Sequence, residues 1–166
     1  MKNVTKIKKF SLLAVALFLF AHHLSAQVAV MKGSSKSIIS STADIPAGSR
    51  LVYTSGMTAS AIKADLEDGE YEKYGDTEAQ AMSVLSKLEE KLKEEGLSFK
   101  DVFSMKVFVA PDTKTGEYDF AGWNRAYKKH FGTEENPTKP VRATVGVATL
   151  VSKHKFIEVE VIAAGK

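Results

Sequence analysis

The chain contains no cysteine. That absence excludes a disulfide scaffold, a cysteine nucleophile and a thiolate metal site. There is no nucleotide-binding glycine loop and no G-x-S-x-G nucleophile turn. No apolar run reaches the roughly 20 residues of a comfortable membrane-spanning helix. Neither sign of charge dominates, with 23 Lys+Arg against 20 Asp+Glu and a formal net charge of +3 over 166 residues. Hydrophobic residues make up 44% and charged residues 26%. These shares exclude a disordered chain, a collagen-like chain and a polytopic membrane protein, and the length suits one domain with a real core.

The first segment has a composition of its own. Residues 2–9 (KNVTKIKK) hold four lysines and no acid, and residues 10–21 (FSLLAVALFLFA) are apolar at eleven of twelve positions. HHLSAQ follows, with small residues before a cut after Ala26. A basic stretch, a short apolar stretch and a small-residue cut are the layout of a secretory signal peptide over 1–26. The alternative is an uncleaved membrane anchor. Without the four lysines the remaining chain has 19 bases and 20 acids, a net charge of −1. The expectations are a periplasmic or secreted protein, no membrane attachment after cleavage, and no broad electrostatic surface for nucleic acid.

Residues 27–36 (QVAVMKGSSK) are small and polar and read as a flexible leader to a single domain over 37–166. SIISS and RLVYTS flank DIPAGS, a turn composition that predicts a hairpin. Residues 57–75 read as an exposed excursion. Over 76–96, Ala81, Leu85, Leu88 and Leu92 repeat at helical spacing, Asp76 and Thr77 can cap, and Gly96 stops the helix. Gln80, three residues after Thr77, fits a capping box. VFSMKVFV (102–109) predicts a strand. Asp119 then opens a second helix ending at Gly132, with Phe120, Trp123, Tyr127 and Phe131 as its apolar stripe and Asn124 on the same stripe. Two strands follow, 141–149 and 155–163, joined by a short polar turn. The order β-β-α-β-α-β-β predicts an α+β fold with two helices on one face of a mixed sheet.

Strand side chains alternate between faces. Packing Ala143, Val145 and Val147 with Ile157, Val159 and Val161 under the helices would send Arg142, Thr144, Glu158 and Glu160 to the far side. Phe156 and Ile162 share that side, so a partner chain is expected to cover it. Arg grips a carboxylate by paired hydrogen bonds, and Glu can take a proton from water or hold one in place. The same three charged residues could equally form an interface ion-pair network. Asn124 is either a satisfied core amide or a group aimed at a site. His130 and His154 stand alone without carboxylates at ligand spacing, so no metal site is expected.

The segments LVYTSG, DTEAQAMSVLSKLEEKLKEEGLSFKDV, KVFVA, DFAGWNRAY, PVRATVGVATL and IEVEVIAA follow in an order and spacing that resembles the Rid family. These are the YjgF-like reactive intermediate deaminases, some described as endoribonuclease L-PSP. The resemblance covers about residues 37–164. It implies a chorismate-mutase-like fold, a homotrimer with sites in clefts between subunits, and no cofactor. It implies hydrolysis of 2-imino or 2-enamino acids to 2-keto acids and ammonia. By the same resemblance, Arg142 would hold the substrate carboxylate and Glu158 would position water. Ser55, Gly56, Asn124 and Thr144 would line the pocket.

Departures accompany the match. The family's G-P-Y-S-Q segment, whose tyrosine lines the pocket, is replaced by SIISSTADIPAGSR. S-G-Q reads Ser55-Gly56-Met57, L-P reads Leu150-Val151, and 57–75 is longer. Three functions are therefore weighed: an exported imine deaminase, a trimeric binding protein for a small carboxylate, and, weakest given the charge of −1, an endoribonuclease.

Overall fold

A computed structural model describes residues 28–166; the signal-peptide segment 1–26 lies outside them. Among the described residues seven strands and two α-helices are formed: β1 (Val30–Lys32), β2 (Thr42–Asp44), β3 (Arg50–Tyr53), β4 (Met57–Thr58), α1 (Thr77–Glu94), β5 (Val102–Val109), α2 (Phe120–Tyr127), β6 (Val141–Gly146) and β7 (Ile157–Gly165). The main sheet runs β3-β7-β5-β6, and β4 continues beside β7 after β3. β7 is antiparallel to β3, β4 and β5, whereas β6 is parallel to β5. The sheet is mixed, with both helices on one face, as the element pattern predicts.

α1 forms because its sequence satisfies both ends and one long face. The Asp76 carboxylate accepts from the Ala79 N–H at 2.9 Å. At the other end Gly96 adopts φ +71°, and the Leu97 and Gly96 amides bond back to the Leu92 and Lys93 carbonyls. This left-handed close satisfies carbonyls that the helix itself leaves open. Ala81, Val84, Leu85, Leu88 and Leu92 are all fully buried against Val102, Met105, Val107, Val159 and Val161 of the sheet. Each such leucine contributes roughly 1.5–3 kcal/mol by leaving water.

Gln80 is not part of a capping box. It is fully buried and crosslinks three chain segments. Its Nε2 donates to the Gly75 and His154 carbonyls at 3.0 and 2.8 Å, and its Oε1 accepts from the Phe156 N–H at 2.7 Å.

The pairings correct three sequence expectations. β2 does not form a hairpin with β3; it pairs with β1 through Val30↔Asp44, Met31↔Ala43 and Lys32↔Thr42. Residues 30–32, read as part of a flexible leader, are therefore a strand, and Ala29 beside it is buried. β6 and β7 are not adjacent, because β5 lies between them and bonds to both. The link from β5 through α2 to β6 is a helical crossover, the connection that parallel strands require. The excursion over 57–75 is anchored rather than free: Ala59 and Tyr74 are buried, and the Tyr71 ring lies 5.6 Å from that of Phe156.

Candidate active site

The register settles which side chains face the helices. Arg142 stands opposite Met105, and Met105 opposite Val161; Thr144 stands opposite Val107, and Val107 opposite Val159. Met105, Val107, Val159 and Val161 are buried under the helices. Arg142 and Thr144 thus share the helix-covered face of β6, the edge strand of the sheet. Glu158 and Glu160 pair with Phe108 and Lys106 on the opposite face. The expectation of one face for all four residues is corrected. Alternation sorts the residues of β6 into two sets correctly, but it assigned the wrong set to the helices. The reason is that Val145 lies on an open sheet face and is 45% exposed, while the Arg142 guanidinium finds aromatic cover.

Around Arg142 the structure brings together one cluster of the predicted residues. The guanidinium carbon lies 4.4 Å from the Tyr127 ring centre and 5.5 Å from that of Trp123. Arg142 Nη2 donates to Asn124 Oδ1 at 2.8 Å. Asn124 lies one turn into α2, whose start is fixed by Asp119 accepting from the Gly122 N–H at 2.7 Å. Stacking on rings and bonding an amide orient the guanidinium without neutralising it. Its Nη1 is buried with no hydrogen-bond partner, and so is the Thr144 hydroxyl oxygen two residues on. Buried polar groups normally find partners, so a pair left open on one strand face points to a bound group. Burial pushes the Arg142 guanidinium below its usual value, yet arginine stays charged at neutral pH. The Tyr127 phenol, also buried, is pushed up to about 12 and donates to the Ile38 carbonyl at 3.0 Å. A charged, oriented donor fork beside a hydroxyl is suited to a carboxylate.

Ser55, Gly56 and Glu158 form a second cluster, on the opposite face. After β3 the chain steps sideways: the Thr54 N–H donates to the Val161 carbonyl at 3.0 Å, and the Val161 N–H donates to Thr54 Oγ1 at 3.0 Å. This leaves Ser55 and Gly56 exposed between β3 and β4. The Glu158 carboxylate occupies the space that a side chain at 56 would fill; a Cβ there would sit 2.0 Å from Glu158 Oε1. Gly56 is thus the gap that admits the carboxylate.

The predicted residues accordingly fall into two clusters that one chain does not bring together: Arg142, Asn124 and Thr144, and Ser55, Gly56 and Glu158. The open sheet face beside the second cluster is partly apolar. It carries Leu51, Tyr53 and Val145, which are exposed, with the Lys106–Glu160 ion pair at 2.7 Å among them. Sequence reasoning missed Tyr118, which lies against Gly146 at the end of β6; an aromatic residue immediately before the helix cap was the available signal. Among the described residues no group of three His, Asp or Glu is placed to hold a metal ion.

A family model described as Endoribonuclease L-PSP matches residues 43–165. The chain belongs to this Rid/YjgF family. The YjgF gene product of E. coli is 33% identical, with 74% of this chain and 85% of that one covered and a TM-score of 0.55. TdcF of E. coli, solved with bound serine, is 28% identical over 82% of this chain and 99% of that one, with a TM-score of 0.56. The Rid protein YyfB of Yersinia pestis, described as of unknown function, shares the fold at 20% identity and a TM-score of 0.62, over 82% and 98% of the two chains. Among curated proteins no sequence matches. Membership in the Rid family supports a small-molecule-binding or deaminase-type function.

Proposed function

We propose that the chain is an exported, cofactor-independent deaminase of 2-imino and 2-enamino acids. It works as a homotrimer, in clefts where the Arg142 cluster of one copy meets the Glu158 cluster of the next. The observation that carries this reading is the division of the site: an oriented, unneutralised guanidinium with an open Nη1 lies on one sheet face, and a carboxylate seated on Gly56 lies on the other. A second copy covering the open face would supply the missing half and bury Leu51, Tyr53 and Val145.

The chemistry follows from the parts. Arg142 and Thr144 bind the substrate carboxylate and fix the C=N carbon in the cleft. Glu158 accepts a proton from water as the oxygen attacks that carbon, giving a tetrahedral carbinolamine. Glu158 hands that proton to the nitrogen; the carbinolamine hydroxyl then gives up its own proton, relayed by Glu158 to the amino group, as the C–N bond breaks and the 2-keto acid and ammonia leave. The basic, apolar and small-residue pattern of 1–26 supports export to the periplasm or beyond.

The test is hydrolysis of 2-iminopropionate, generated in place by an amino-acid oxidase with semicarbazide as competing trap. Purified 27–166 should speed keto-acid formation, and Arg142→Ala should abolish the effect. No acceleration across several imines, with a folded oligomer confirmed by light scattering, would refute the deaminase reading.

A second reading, a trimer that binds a small carboxylate without turnover, is favoured by one observation. Residues 37–49 contain no tyrosine where deaminating relatives carry one. The relative TdcF was solved with bound serine, a small carboxylate. Under that reading wild type binds a keto acid without turnover and Glu158→Gln leaves that binding unchanged; under ours wild type turns over an imine and Glu158→Gln keeps ligand binding and loses turnover. RNA cleavage, which the family description mentions, is disfavoured by the near-neutral charge of residues 27–166.

A further inference from the structure

We propose that Tyr118 is the side-chain wall of the Arg142 half-site, that the insertion over 57–75 holds it there, and that it selects 2-imino acids with extended apolar side chains. The inference deepens the deaminase reading and rests on it for the chemical class of the ligand.

Three observations place the ring. Gly146 ends β6 on the same strand face as Arg142 and Thr144, by alternation at positions 142, 144 and 146. The Tyr118 ring lies directly over Gly146: a Cβ there would be 3.0 Å from Cε1 and 3.2 Å from Cδ1. Any side chain at 146 would push the ring aside, so glycine is what lets an aromatic ring lie flat against the end of this strand. The ring also stacks on Phe120 at 5.9 Å between centres and 14° between planes. Even so, Tyr118 remains 41% exposed and Phe120 38% exposed. An apolar surface is thus built, oriented and left uncovered beside an anion-binding group.

The spacing matches a small ligand. Four residues of strand from Arg142 to Gly146 span about 13 Å between Cα atoms. A carboxylate shared by the guanidinium and the Thr144 hydroxyl leaves about 7 Å of strand before Gly146, the reach of an extended side chain. A one-carbon side chain stops short of the ring; a branched or aromatic one reaches it.

The ring is held from behind. The turn before it is closed by its own bonds: the Asp112 N–H donates to the Glu117 carbonyl, the Gly116 N–H to the Asp112 carbonyl, and the Lys114 N–H to Asp112 Oδ1. The insertion clamps that turn. Tyr71 Oη donates to Asp112 Oδ2 at 2.6 Å, Lys114 Nζ bonds Glu72 Oε1 at 2.5 Å, and the same ammonium lies 3.9 Å above the Tyr71 ring. Asp112 is only 5% exposed, so this is an enclosed anchor rather than a loose surface pair. The segment that leaves the sheet after β4 therefore sets the position of Tyr118.

The experiment compares wild type, Tyr118→Ala and Tyr118→Phe on two imines, those of alanine and leucine, with calorimetric binding of pyruvate and 4-methyl-2-oxopentanoate alongside. Wild type should favour the leucine-derived imine in kcat/KM. Tyr118→Ala should lose about tenfold on that substrate and less than about twofold on the alanine-derived one, mostly through KM, while Tyr118→Phe keeps the preference. An unchanged preference in Tyr118→Ala, or an equal loss on both imines at unchanged melting temperature, overturns the assignment. If wild type binds the keto acids but hydrolyses neither imine, the deaminase reading falls. The same chain-length ratio, read from binding, then decides the wall by itself. If wild type neither hydrolyses an imine nor binds a keto acid, both readings fall.

Discussion

Replacing Gly56 with alanine adds one methyl group at the point where the account is most exposed to refutation. The new Cβ would lie 2.0 Å from Glu158 Oε1, 2.9 Å from its Cδ and 3.1 Å from its Cγ. Ordinary non-bonded contact begins near about 3.4 Å, so the carboxylate oxygen must retreat by at least about 1.4 Å. No backbone atom is among these close contacts. A carboxylate at the end of a flexible side chain can swing away, so the fold should survive with little change in melting temperature. The reaction should not survive as well, because a displacement of about 1 Å in a positioned group costs on the order of a hundredfold in rate. Steady-state kinetics of imine hydrolysis should therefore show kcat lowered about a hundredfold in Gly56→Ala with KM changed by less than about threefold, since the carboxylate is gripped elsewhere, by Arg142. Gly56→Ala with wild-type kcat and an intact fold would show that the seat of Glu158 on Gly56 has no part in the chemistry.

Two further outcomes test the supports of the site. Gln80→Ala strips partners from the Gly75 and His154 carbonyls and the Phe156 N–H; urea unfolding should show a loss of about 2–4 kcal/mol, set by unsatisfied buried polar groups. Glu78 joins α1 to α2 by bonding Arg125 Nε at 2.6 Å and Lys129 Nζ at 2.9 Å, and these hold its carboxyl below the ordinary range, Arg125 first. A lowered carboxylate pKa contributes stability that is present above the unfolded-state pKa and is lost as pH falls through the folded-state value. The melting temperature should therefore fall on acidification from roughly pH 5 to pH 3, and Glu78→Gln should reduce the slope in that window. An unchanged slope would remove Glu78 from the account of acid stability.

Much of the scaffold was legible because single interactions dictated it. The Asp76 cap, the leucine stripe and Gly96 define α1 without reference to the rest of the chain. The strand–helix–strand order from β5 to β6 was legible, but its parallel pairing and the place of β5 between β6 and β7 were not. The two sets of side chains on β6 were legible, but their orientation was not. Ala143 and Val145 are apolar yet lie on the open face, whereas Arg142, Thr144 and Gly146 lie on the helix-covered one, so polarity pointed the wrong way. Arg142 looks like a surface residue by letter and is held under α2 by two rings and an amide. Gln80 was misread for a similar reason: its letter fits a capping box, whereas its partners lie at Gly75 and at His154 and Phe156, the last two more than seventy residues along the chain. The β1–β2 pairing involves only three residues per strand, too few to leave a periodic signature.

The division of the site between two copies is tested most directly by complementation. Arg142→Ala and Glu158→Gln subunits, each inactive alone, are carried on differently tagged chains, coexpressed in equal amounts and purified as mixed assemblies. A cleft is whole only when a Glu158→Gln chain gives the arginine and an Arg142→Ala chain gives the glutamate. Every mixed trimer then holds one whole cleft in three, so the purified mixed assemblies should show about a third of wild-type activity per subunit. No recovery in mixed assemblies of confirmed composition would mean that Arg142 and Glu158 do not act in one shared cleft.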